Sequence, residues 1–160
     1  MGMTKDDSWT IIHALTHSSL RREAREFNYK NGWHARLGRA IHQYTNHDVE
    51  CWLPDYEIDS SRSETEDGVT YRMFESSLVP GTGMDFFGSY IGSTKPGIEI
   101  SYSLIKALRK RGQRGKKTAI HLHSDTYLNT YIACFLLGEV PLFLQHHGGL
   151  QGATKIERYS

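Results

Sequence analysis

Residues 118–149, TAIHLHSDTYLNTYIACFLLGEVPLFLQHHGG, constrain the fold of this chain more than any other stretch. An apolar run ends in His121 and His123. A polar turn, an apolar segment from Tyr127 to Leu137 and the stop Gly138 follow. A second apolar run, Val140 to Gln145, ends in His146 and His147. Strand, helix, strand at this spacing is a parallel βαβ unit. In open parallel sheets, ligands bind outside the carboxyl ends of the strands. Both strands therefore carry polar side chains to the rim where such a fold places its chemistry.

The remainder of the chain extends the alternation. Thr10 to Leu15 is a short β-branched run that predicts a first strand. A polar loop follows, and Asn31 or Gly32 opens a helix. Trp33, Leu37, Ile41 and Tyr44 predict its apolar stripe. Val49 to Leu53 predicts a second strand, the polar SSRSETEDG an exposed loop, and Val69 to Phe74 a third strand. A glycine-rich segment from Pro80 to Gly97 reads as a long functional loop. Ser101 caps a helix that runs to Arg111, with basic residues in its last turn and Gly112 as a stop. The order β-α-β-β-α-β-α-β predicts an α/β fold: a Rossmann-like, doubly wound, mostly parallel sheet.

The 160 residues suit one domain, expected over 9–149 with a truncated tail at 150–160. With 19 basic and 18 acidic residues the net charge is +1, which offers no general pull toward nucleic acid. Cys51 and Cys134 sit in separate apolar runs and read as buried hydrophobes in a reducing cytoplasm. No apolar stretch approaches the roughly 20 residues of a membrane helix. A cytoplasmic location is expected, with contact at the inner face of the membrane as an extension.

The order of landmarks resembles the N-terminal, acceptor-side domain of GT-B glycosyltransferases of the family-4, or group 1, type. That family carries a Gly-Gly loop after the first strand, then Gly-His-Glu-Val leading into the second. Here Asn31-Gly32 stands at the loop and Asn46-His47-Asp48-Val49 at the second strand. The later landmarks are similar to Ile120-His121-Leu122-His123-Ser124, Gly138-Glu139-Val140-Pro141 and His147-Gly148. The resemblance implies transfer of a hexose, with retention, from a nucleotide-sugar to an acceptor hydroxyl. It implies His147 as the catalytic residue beside the transferred sugar. Asn31, Gly32, His123, Ser124 and Gly148 are the implied substrate-binding residues. The implied partners are a sugar or lipid-linked acceptor and a C-terminal GT-B half, which binds the donor, on another chain. No metal or other cofactor is expected, and the isolated chain is expected to be inactive.

Two alternatives come from the same residues. His121-x-His123-x-Asp125 resembles the zinc motif of metallo-β-lactamase-like hydrolases, in which two imidazoles at i and i+2 share a strand face. Thr126 stands where that motif has its next histidine, so His121 reads instead as a core histidine and His146 as a packed residue on the opposite face. A non-catalytic binding module is the other alternative. The basic cluster of Arg109, Lys110, Arg111, Arg114, Lys116 and Lys117 reads as a solvated helix end. Its functional reading is contact with anionic lipid. The last strand, Val140 to Gln145, is expected to leave an apolar side incompletely covered.

Overall fold

The structure, a computed structural model, describes residues 8–16, 30–80, 97–113, 117–123, 128–137 and 140–145. Five strands run parallel: β1 (Thr10–Leu15), β2 (Asp48–Asp55), β4 (Val69–Glu75), β7 (Thr118–His123) and β8 (Leu142–Gln145). An antiparallel edge strand, β3 (Arg62–Glu66), completes a six-stranded sheet of order β3-β4-β2-β1-β7-β8. A separate antiparallel pair joins β5 (Ser77–Pro80) to β6 (Gly97–Ile100). Three helices are present among the described residues: α1 (Trp33–Tyr44), α2 (Tyr102–Gly112) and α3 (Leu128–Leu136). The chain winds outward from β1 in both directions, an order compatible with a Rossmann-like fold.

The two sheet faces carry separate cores, as period-two alternation requires. Val49, Cys51 and Leu53 of β2 join Val69, Tyr71 and Met73 of β4 and Ala35 of α1 on one face. Ile12, Ala14, Trp52, Phe74, Ile120 and Leu122 meet Leu104 and Leu108 of α2 and Ala133 of α3 on the other. Because Ile120 and Leu122 face α2 and α3, His121 and His123 point to the α1 side.

Helix α1 packs differently from its predicted stripe. Leu37 is 38% exposed and Tyr44 79% exposed, while His34, Ala35 and Gly38 are buried. The reason is close approach: a Cβ at Gly38 would lie 3.1 Å from Val49 Cγ1 and 3.3 Å from Cys51 Sγ. Small residues therefore form the contact line, and the large apolar side chains flank it.

The predicted SSRSETEDG loop is partly a strand. All five residues of β3 are exposed, so no apolar alternation marks them. A turn at Asp67 and Gly68 makes the hairpin, with φ of 49° and 74°. Positive φ at both central positions is the type I′ geometry that Asp-Gly favours. The glycine-rich reading at 80–97 falls mainly on residues outside the described ones.

Helix α2 begins as predicted: Ser101 Oγ accepts from Leu104 N at 3.3 Å. Its last turn departs from a wholly solvated helix end. Arg111 is hydrogen-bonded and ion-paired to Glu50, which lies on the α2 side of β2 and is 6% exposed. Trp52 Nε1 donates to the same carboxylate at 2.9 Å, and Arg72 Nε lies 2.8 Å from it. Arg109 and Lys110 stay exposed. No described helix is long and apolar enough to cross a membrane.

Candidate functional site

The parallel pairing of β1 with β7 builds the site. His13 and His121 are register partners, as are Leu15 and His123. His13 alternates with Ile12 and Ala14, both in the opposite core, so it too faces α1. Backbone pairing alone thus sets three imidazoles on one face, in the carboxyl-terminal halves of two adjacent strands. These strands flank the point where the winding of the sheet reverses, where open α/β sheets bind ligands.

The rings converge. His13 Nδ1 lies 3.2 Å from His123 Nε2. Ring centroids are 4.1 Å apart for His121 and His123, and 5.3 Å for His13 and His121. One nitrogen from each of the three lies within 4.8 Å of those of the others. His13 is 1% exposed and His123 0%, while His121 is half-buried.

The start of α1 covers the group. Gly32 is the N-cap, and its carbonyl accepts from Arg36 N at 3.1 Å. Its φ of −58° is open to any residue, so the glycine is not required by backbone conformation there. Trp33 follows and meets His123 edge-on at 4.4 Å between centroids. His34 is 2% exposed, and its ring is 6.2 Å from that of His123.

Burial sets the protonation of His13 and His34. Desolvation lowers the pKa of His13 from 6.5 to about 4, and the charges His121 and His34 would carry push it the same way. Burial lowers His34 to about 4 as well. Both are neutral at pH 7. Their Nε2 atoms are buried and have no hydrogen-bond partner among the described residues. Cys51 takes no part as a nucleophile, since burial pushes its thiol up to about 12.

A polar belt fixes the rim beside the cluster. Thr16, directly after β1, donates through Oγ1 to the His123 carbonyl at 3.3 Å. Thr130 Oγ1 donates to Thr16 Oγ1 at 2.6 Å, and Asn129 Nδ2 to the Thr16 carbonyl at 2.9 Å. Asn129 Oδ1 also accepts from Ser101 N at 3.1 Å, so one buried amide links β1, α2 and α3. Such hydrogen-bonded side chains hold the ends of the strands in place.

Of the residues implied by resemblance, the structure brings Gly32 and His123 to this rim. Asn31 is exposed. Ser124, His147 and Gly148, with Asp125 and His146, lie outside the described residues. The core reading of His121 changes in one respect: it is half-buried and stands against another imidazole rather than inside an apolar sheet. Sequence reasoning missed His13, His34, Thr16 and Asn129. A histidine in the middle of TIIHAL was the available signal, but its partners are more than 100 positions away and register is not local information. No protein-family model, curated protein or solved structure matches the chain.

Proposed function

We propose that this chain is a carbohydrate-binding α/β domain, the acceptor-side domain of a GT-B-type glycosyltransferase. The observation that carries the reading is the grouping of Gly32, Trp33 and His123 at the carboxyl ends of β1 and β7. Trp33 offers an aromatic surface, and imidazole nitrogens offer hydrogen-bonding groups for sugar hydroxyls. The order of landmarks along the chain supports the same assignment. The resemblance implies His147 and Gly148, which follow β8 in sequence, as the residues of the sugar side. The donor nucleotide-sugar belongs to a second, C-terminal half.

The basic residues take no part in it. The carboxyl end of α2 leads into the start of β7, so Arg109 and Lys110 sit at the rim opposite the histidines. The proposal therefore takes no membrane contact from them.

The test is saturation-transfer NMR of the purified chain against a panel of hexoses, disaccharides and nucleotides. Saturation of sugar protons is expected, with loss in Trp33→Ala. Saturation of nucleotides alone, or of nothing in the panel, contradicts the reading. The same preparation is expected to transfer no hexose from UDP- or GDP-sugars above an empty-vector control.

A further inference from the structure

We propose that His13, His121 and His123 form a binding site for one divalent transition-metal ion of the zinc type. The proposal stands on the imidazole geometry and does not depend on the carbohydrate reading. Zinc binds histidine nitrogen at roughly 2.0–2.1 Å in tetrahedral sites, which places two such ligand atoms about 3.3 Å apart. His13 Nδ1 and His123 Nε2 are already 3.2 Å apart. The third ring keeps a nitrogen within 4.8 Å of those of the other two, a gap that a side-chain rotation closes.

The frame behind the rings is rigid. His121 and His123 stand at i and i+2 on β7, and His13 is the register partner of His121 on β1. Two ladder-paired strands in the middle of a six-stranded sheet thus present all three, which is the preorganisation a metal site needs. The ligands are held without any contribution from position 126, where the hydrolase motif has its histidine. The third imidazole comes from another strand, so threonine at position 126 does not deprive the site of a ligand.

The surroundings favour the ion. Trp33 against His123 walls one side with an apolar ring. Imidazole ligands select zinc, cobalt, nickel or copper over magnesium and calcium. Three protein ligands leave a fourth position for water or a substrate oxygen.

Titration of the chelator-treated full chain with cobalt(II), and then zinc(II), tests this. One cobalt per chain is expected, with the visible absorption of a four- or five-coordinate ion, displaced by one equivalent of zinc. Zinc at 100-fold above its dissociation constant should raise the melting temperature by roughly 5–10 °C. Magnesium should leave it unchanged. His13→Gln, His121→Gln and His123→Gln should each weaken cobalt binding by at least about 100-fold, since each removes a ligand outright. His42→Gln, at an exposed position, should not. Absence of cobalt binding by the intact chain overturns the proposal whatever the variants do. So does a thiolate-to-cobalt band, which assigns the metal to Cys51 or Cys134, or binding that survives all three substitutions.

Discussion

Two buried polar groups lie on opposite faces of the same sheet, and they are built on opposite principles. On the α2 side, the Glu50 carboxylate meets Arg111, Arg72 and the Trp52 indole N–H. Its charge is answered by cations and by a neutral donor, and Arg72 also lies over the Trp52 ring at 5.6 Å. On the α1 side, imidazoles crowd against one another, and burial keeps His13 and His34 neutral. The first group fastens β2 to α2 and leaves little to recognise. The second holds two buried nitrogens, Nε2 of His13 and Nε2 of His34, with no hydrogen-bond partner among the described residues, at a rim suited to ligands. A buried charge answered by opposite charges is architecture, and buried imidazoles gathered at a strand rim are a candidate site.

Acid should separate the two groups most strongly. His13 and His34 have folded-state pKa values of about 4, below the unfolded value of 6.5. The unfolded chain thus binds more protons between these limits, and stability falls as pH drops from 6.5 to 4. Above 6.5 the full stability is present. The loss is on the order of 3 kcal/mol for the first histidine alone, from about 1.4 kcal/mol per pKa unit. Urea melts at pH 7, 5.5 and 4.5 measure it, and His34→Gln should flatten the slope. A flat profile in the intact chain would place both rings in water.

Glu50→Ala should cost about 3 kcal/mol in a urea melt at pH 7, the low end for a broken buried pair, because Arg72 and Arg111 keep some solvent. Cobalt and sugar binding should not change. A change in either would break the division between the faces. The smallest effect belongs to neither face. Gly68→Ala, at φ 74° in the β3–β4 turn, should cost about 1 kcal/mol, since only backbone strain opposes it and the nearby His42 side chain is free to swing away.

How much of this is legible in the sequence depends on how far apart the partners stand. The unit from β7 through α3 to β8 is local, and its apolar runs, turn and glycine stop name it directly. The start of α2 is local too, since Ser101 caps Leu104 three positions on. Strand β3 hid because an exposed edge strand has no apolar face, although Asp67-Gly68 was a hairpin signal in plain view. Helix α1 misled because its contact line uses Ala35 and Gly38, residues a stripe of large apolar side chains passes over. The site was half legible: His121 and His123 announce themselves at i and i+2. His13 does not, because only the register of β1 on β7 brings it to them.

The central claim is that His13 of β1 and the histidines of β7 form one cluster, in which burial keeps His13 and the neighbouring His34 neutral. Imidazole nitrogen NMR on the full chain, from pH 8 to pH 4, tests it directly. His13 and His34 should keep the chemical shifts of neutral imidazole until pH falls to about 4 or the chain unfolds. The His13 and His123 rings should show through-space contacts to each other, across 110 positions of sequence. Titration of both His13 and His34 near 6.5, with no contact between the His13 and His123 rings, would contradict the account.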